Sequence, residues 1–375
     1  MAVAVLTGDG AALGLLEGDG LALGCDVGAD PHPVNIIIST APTAPMLRGH
    51  LVMAPPLFAV ALDSGATYLS HGAHWANLSS DGLPRPVASG SQDLARALIQ
   101  CGEIREEVLA LGTRFGVLTR YRAHADAFDL TFWEAKGVAG AQSSPPGNAI
   151  PTVSAFADNR VAREHPDWVQ VGPQGQRGDR STQYFDWSTL CPTRDAVFEL
   201  ALGWAAQAAS SRGLRLDDVS YAREGYCQCP ACTQAIAADG GAADAFRTER
   251  IAQFVRAVRS VITGKLLLTL YPDPYPGHLP RRFGVDPGRL GDSVDTFVVP
   301  IYDLSYSTTY WIETLAQGFR DLLTRPFLIE LYGLGVPEER LIKAARVAWA
   351  YADGVVIAYE KDLAKLQHVR DAVLG

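Results

Sequence analysis

In the C-terminal half of the chain, apolar positions come in short unbroken runs and not in alternation. Four such runs, 266–271, 297–302, 327–332 and 355–359, end in Tyr271, Tyr302, Tyr332 and Tyr359, each beside a polar or turn residue. The tyrosines stand 31, 30 and 27 residues apart, and helical periodicity fills the intervals, as over 307–323 and 338–351. A strand with its crossover helix takes about 30 residues. Strands that are apolar on both faces belong to a parallel sheet covered on both sides. Further runs at 115–119, 150–156 and 214–221, with one more at 66–70, bring the strands to eight. The pattern predicts an α/β fold, a (β/α)8 TIM barrel over residues 66–375. A doubly wound sheet is the rival, but its usual glycine fingerprint after the first strand is not found.

Residues 1–65 read as a small N-terminal β extension. Thr7-Gly8-Asp9-Gly10 is echoed ten residues later by Glu17-Gly18-Asp19-Gly20, between short apolar runs. Asp-Gly supplies the positive φ of a tight hairpin, so a β-meander is expected. A phosphate-cradling loop would need a following helix and a Lys-Ser/Thr pair, which are missing. Strands are also expected at 34–38 and 57–62, a loop at 71–77, and a helix over 91–113, where Leu94, Leu98, Ile104, Val108 and Leu111 recur near helical spacing.

Composition narrows the class. Of 375 residues 48% are apolar, which excludes disorder. Charged residues are 19%, below the usual quarter or so. The net charge of −9 argues against a nucleic-acid binder. No apolar run reaches the roughly 18 residues that span a bilayer, so no membrane association is expected. Residues 1–6 lack a basic segment and make a poor signal peptide, so a cytoplasmic protein is expected. The oligomeric state stays open, a homo-oligomer included. In a reducing compartment six cysteines are not expected to pair as disulfides.

Their spacing is more informative. Tyr226-Cys227-Gln228-Cys229-Pro230-Ala231-Cys232 brings three thiols together just after the fourth barrel strand. Zinc takes four tetrahedral ligands, and Cys191, in the loop after the third strand, is the expected fourth. Four thiolates leave no open position, so the zinc is expected to be structural. Cys25 and Cys101 read as buried small hydrophobes.

A barrel carries its chemistry at the C-terminal ends of its strands. That rule selects Trp75, Arg120, Tyr121, Asp158, Arg223, Glu224, Tyr271, Asp273, Tyr302, Asp303, Glu330, Tyr332 and Glu360. Glu330 stands out, because a carboxylate inside the run Phe327-Leu328-Ile329-Glu330-Leu331-Tyr332 must be desolvated and therefore partnered. Its plain structural reading is an ion pair across the barrel, to Arg120 or Arg122. Strand-end tyrosines suit a sugar, whose faces accept an aromatic ring and whose hydroxyls accept a phenol. His71 and His74 have ligand-like spacing but no helix or nearby carboxylate.

Two stretches carry a family resemblance. The C-x-C-x-x-C run with an earlier cysteine resembles the zinc site of the zinc-containing β-galactosidases among the retaining barrel glycosidases. Asp158-Asn159-Arg160, His165-Pro166-Asp167-Trp168, Leu190-Cys191-Pro192 and the cysteine run resemble a broader group of glycoside-hydrolase-like barrels. In that group an "HPDW" loop follows the third strand, and a "D-G-(I/V)-x-x-D" strand leads into the cysteines. The likeness spans about residues 115 to 235 and adds Trp168 to the candidates. It implies a carbohydrate or glycoside substrate and a retaining two-carboxylate mechanism. The acid/base then lies at the end of strand four, mapped to Glu224, and the nucleophile at the end of strand seven, mapped to Glu330. The chain departs from the pattern at Ala222, where the strand-four aspartate would fall when Asp217-Asp218-Val219 is matched to "D-G-V". Two rivals follow: a non-hydrolytic carbohydrate-binding protein on a degenerate barrel, and a metal-dependent barrel lyase or isomerase using Asp303 and Glu360.

Overall fold

The computed structural model describes residues 114–375 in full and, before them, the backbone of seven short strands. The chain divides into two compact units, Met1–Glu106 and Glu107–Gly375. The first contains β1 (Val3–Leu6), β2 (Leu13–Leu16), β3 (Ile36–Thr40), β4 (Phe58–Leu62), β5 (Thr67–His71), β6 (His74–Leu78) and β7 (Pro84–Arg85). They form one antiparallel sheet in the order β2-β1-β3-β4-β5-β6-β7. Val3 pairs with Leu16 and Leu6 with Leu13, the hairpin that the Gly8-Asp9-Gly10 turn predicts. The second copy of that turn, the expected helix over 91–113, Cys25 and Cys101 lie outside the described residues.

The second unit is the barrel. Its strands are β8 (Phe115–Thr119), β9 (Leu130–Lys136), β10 (Ile150–Ser154), β11 (Gly213–Asp217), β12 (Lys265–Thr269), β13 (Thr296–Pro300), β14 (Phe327–Tyr332) and β15 (Gly354–Ala358). All neighbours pair in parallel and β15 closes onto β8. Among the described residues ten α-helices accompany them: α1 (Arg122–Ala127), α2 (Asn159–Glu164), α3 (Asp195–Ala208), α4 (Pro230–Ala238), α5 (Ala243–Val261), α6 (His278–Phe283), α7 (Pro287–Leu290), α8 (Tyr310–Leu322), α9 (Glu338–Tyr351) and α10 (Leu363–Leu374).

The expected run at 66–70 is not a barrel strand. It is β5, in the antiparallel sheet, and 71–77, expected as a loop, enters the β5–β6 hairpin with His71 opposite His74. The strand that takes its place in the barrel is β9. Leu130-Thr131-Phe132-Trp133-Glu134-Ala135-Lys136 mixes charges into the run, and only the six-residue α1 separates it from β8, so neither the apolar signal nor the 30-residue period marks it. Gly213 opens β11 at φ +140, where a Cβ would fall 2.2 Å from the Lys265 carbonyl oxygen; glycine lets β11 and β12 start side by side.

Two apolar layers hold the barrel. Inside, Leu118, Leu130, Phe132, Leu267, Leu328 and Val356 fill the bottom as a closed plug. Outside, Val153, Leu216, Val299 and Ile357 pack under the helices against Ala201, Phe254 and Ala345. Aspartates set several helix starts: Asp158 accepts from the backbone N–H groups of Arg160 and Val161, and Asp362 from those of Ala364 and Lys365. Among the described residues no helix is long and apolar enough to cross a membrane.

Candidate functional site

Alternation along each strand decides what stands above the apolar plug. Leu214 and Leu216 face the helices, so Arg215 and Asp217 face the interior; Leu328 faces the interior, so Glu330 and Tyr332 do too. Glu134, Thr269, Tyr271 and Tyr302 follow from Phe132, Leu267 and Val298 in the same way. The plug is apolar and its upper layer is charged.

Arg215 and Glu330 meet at the centre, each 1% exposed. Arg215 Nη1 donates to Glu330 Oε2 and Nη2 to Oε1 at 3.1 Å, while Nε donates to Thr269 Oγ1 at 3.0 Å. The guanidinium lies 5.3 Å from the Phe132 ring centroid. The Tyr302 hydroxyl donates to Glu330 Oε1 at 2.5 Å. Burial, then the Glu330 charge, holds that phenol well above its ordinary pKa, so it stays a donor. A carboxylate without solvent needs a cation and hydrogen bonds; Arg215 and Tyr302 supply both, and Thr269 holds Arg215. Neither partner expected from sequence takes this place: Arg120 is at the rim, paired with Glu134, and Arg122 begins α1.

A second cluster stands at the end of β11. Asp218 adopts φ +53, a left-handed conformation unusual outside glycine. Its Oδ2 lies 2.5 Å from Ser154 Oγ, and its backbone N–H donates to Asp217 Oδ1 at 3.0 Å. Burial and then the Asp217 charge push the Asp218 carboxyl up to about 7. Burial also raises Asp217. Beneath them Lys136, buried against the Trp204 ring at 4.0 Å, donates to the carbonyls of Ser154 and Ala157 at 2.7 Å each and pairs with Asp158 at 3.3 Å. Burial lowers the Lys136 pKa, opposed by Asp158.

The remaining predicted residues divide into those at the mouth and those spent elsewhere. Tyr302, Tyr332 and Tyr359 form a ring cluster with centroids 5.5, 6.0 and 6.5 Å apart, joined to Glu330 through the Tyr302 hydroxyl. Tyr271 lies flat on Phe283 at 3.9 Å, which occupies one of its faces. Tyr121 stands exposed at the start of α1. Glu224 is 60% exposed, with Arg281 at 3.5 Å. Arg223 donates to the Tyr184 carbonyl at 2.6 Å and covers Phe185. Asp303 accepts from Ser305 within its own turn at 2.8 Å, and Asp273 holds His278 and Arg282. Glu360 accepts from the N–H groups of Lys361 and Asp362 at 2.7 and 3.1 Å and pairs with Lys365, which anchors the loop before α10. Asp158 caps α2. Trp168 stacks on His165 at 4.0 Å and lines an open cleft of about 540 Å³ with Thr193, Arg194 and Gln234, beside the cysteines and away from the barrel centre. Trp75 is on β6, and its side chain lies outside the described residues.

Arg215, Asp217, Asp218, Glu134, Ser154 and Lys136 are site residues that the sequence pattern does not single out. Arg215 carried a usable signal: Gly213-Leu214-Arg215-Leu216 embeds a charge between leucines, just as 327–332 does, and two such strands of opposite sign invite pairing.

The cysteines converge as expected. Cys191, Cys227, Cys229 and Cys232 are buried, with sulfurs all within 4.8 Å of one another. Cys191 Sγ lies 3.3 Å from Cys232 Sγ and 3.7 Å from Cys229 Sγ. A tetrahedral ion with bonds of about 2.3 Å would set these distances near ~3.8 Å. The N–H groups of Val171 and Cys229 point at Cys227 Sγ, at 3.2 and 3.4 Å, as second donors to a charged sulfur would. The donor set, burial and spacing fit a metal ion. An ion there would tie the loop after β10 to the loop after β11, whose Cys229 caps the start of α4.

No family model and no curated protein matches the chain. Solved structures do match. The glycoside hydrolase domain of PgaB (BpsB) from Bordetella bronchiseptica superposes with a TM-score of 0.52 at 13% identity, over 76% of this chain and 95% of that one. Alpha-L-fucosidase isoenzyme 2 from Paenibacillus thiaminolyticus gives 0.46 at 14% identity, over 72% of this chain and 45% of that one. A class V chitinase from Pseudomonas fluorescens Pf-5 gives 0.45 at 11% identity, over 70% and 99%. At such identities the first likeness is one of fold, the (β/α)8 barrel on which many glycoside hydrolases are built.

Proposed function

We propose that the protein is a glycoside hydrolase of the retaining kind, acting at the open end of the barrel. The observation that carries this reading is Glu330. It is a carboxylate at the end of the seventh barrel strand, oriented by Arg215 and Tyr302 beside a cluster of tyrosines. Glu330 is the nucleophile: two donors fix the direction of its oxygens, and Arg215 compensates its charge without removing it. The three tyrosines beside it receive the sugar ring. The acid belongs to the end of β11, where Glu224 is the motif's candidate. Hydrolysis of a panel of nitrophenyl glycosides tests the reading. Activity should fall by several orders of magnitude in Glu330→Gln, and proton NMR should show the product first appearing with the anomeric configuration of the substrate. If no glycoside in the panel is cleaved, the hydrolase reading fails.

The four-cysteine site we assign to zinc, since four thiolates with no open position suit a structural zinc. A second reading, carbohydrate binding without hydrolysis, draws on Ala222 and on the engagement of both Glu330 oxygens by Arg215. It predicts saturable sugar binding that survives Glu330→Gln with no turnover in the parent. For the lyase or isomerase reading, Asp303 and Glu360 are committed to their own loops. Among the described residues the cysteines are the group of His, Cys, Asp or Glu that converges on one point.

A further inference from the structure

We propose that Asp218 is the proton donor of this site, in the role that motif position gives to Glu224, with Ser154 as the positioning residue that serves both its protonation states. The proposal rests on the glycosidase reading and moves the acid within it. In the strand pattern "D-G-(I/V)", Asp218 stands where glycine is expected, and its φ of +53 shows why glycine would suit. A side chain there strains the backbone. Strain of this kind is kept where the side chain is used.

Ser154 supplies the independent observation. Its Oγ lies 2.5 Å from Asp218 Oδ2 and 3.0 Å from the Ala157 carbonyl oxygen. Both neighbours can accept, but a hydroxyl has one hydrogen. With that hydrogen on Ala157 O, the short contact to Oδ2 is a hydrogen bond only when Asp218 carries the proton. With the hydrogen on Oδ2, Asp218 is the carboxylate. One rotation of Ser154 therefore satisfies both states. Lys136 keeps the Ala157 acceptor in place by donating to it at 2.7 Å. The groups facing Asp218 are Asp217 on β11, Glu134 and Lys136 on β9, Ser154 on β10 and Tyr271 after β12. Two neighbouring carboxylates and one cation favour the protonated form near neutrality.

The reaction balances on these groups. The Asp218 O–H turns from Ser154 Oγ to the glycosidic oxygen and gives up its proton there as the C1–O bond breaks and Glu330 bonds to C1. The Ser154 hydrogen turns to Oδ2. Water then bonds to C1, the Glu330–C1 ester breaks, and the water proton returns to Asp218.

The test reads the carboxyl directly. In the full chain labelled with carbon-13 aspartate, one carboxyl resonance should titrate near neutral pH and be missing in Asp218→Asn. Asp218→Gly restores the residue the backbone prefers and should fold while losing the same resonance. Ser154→Ala removes a charge-assisted bond from the carboxylate and should move the step up by about one pH unit. A neutral titration that persists in both Asp218 variants, or aspartate carboxyls that all titrate in the ordinary acidic range, overturns the proposal. Kinetics separates it from the reading beneath it. Asp218→Asn should slow methyl glycosides at least a hundredfold while sparing 2,4-dinitrophenyl glycosides, whose leaving group needs no proton. Equal cleavage by parent and variant of both substrates removes Asp218 and leaves the hydrolase. If nothing is cleaved, the hydrolase falls, whatever the titration shows.

Discussion

Arg215 and Glu330, 115 residues apart in sequence, form a two-pronged ion pair in the interior of the barrel, with Thr269 and Tyr302 completing the hydrogen bonds. Neither residue is tolerable there alone. Removing one partner leaves a desolvated charge, and such losses cost about 3–5 kcal/mol. Arg215→Met and Glu330→Leu should each destabilise by that order in denaturant unfolding. The double variant should lose less than the two singles together, because nothing is then left uncompensated. Strict additivity would mean that the pair does not couple the strands.

Tyr302→Phe isolates orientation from charge. The variant keeps the ring beside Glu330 and deletes one donor, so stability should change by about 1 kcal/mol. If Glu330 is the nucleophile, kcat should fall about tenfold or more with KM little changed. A kcat equal to that of the parent would remove Tyr302 from the chemistry.

Stability should depend on pH through Asp218. Its carboxyl is raised from an ordinary 3.8 to about 7, so between those values the folded state holds a proton that the unfolded chain has lost. The contribution is full below about pH 4 and disappears as pH rises through about 7; the slope ∂ΔG/∂pH is negative across that window. At most about 4 kcal/mol is involved, less once sharing with Asp217 is counted. Unfolding at a series of pH values should show this decline in the parent, and Asp218→Asn should flatten it. An unchanged slope in the variant would assign the decline to other groups.

Metal should be part of the fold. Elemental analysis of the purified protein should give about one zinc per chain, reduced in Cys229→Ser. Chelation should lower the melting temperature, with about 4 kcal/mol at stake if free metal stands a thousandfold above its Kd. The loops after β10 and β11 should become protease-sensitive first, since the ion would join Cys191 in one to the three cysteines of the other.

The eight-fold period was legible because a buried parallel strand must be apolar on both faces, and a crossover helix of nearly constant length separates one such run from the next. The last four strands and the three clustered cysteines could be read from that spacing. So could Glu330, since a charge in an apolar strand has to be paired. What the period could not show was β9, whose Glu134 and Lys136 break the run, or the fate of 66–70, which is apolar enough for either sheet. The partner of Glu330 and the left-handed turn at Asp218 were decided in three dimensions, whereas Cys191 was already expected beside the other sulfurs from its place in the loop after the third strand. Closing a barrel brings the ends of distant strands together, and the ion pair, the sulfur cluster and the Ser154–Asp218 contact join residues 115, 41 and 64 positions apart at their widest. Burial marks a side chain in the sequence as needing a partner; only the register and closure of the strands choose which one it finds.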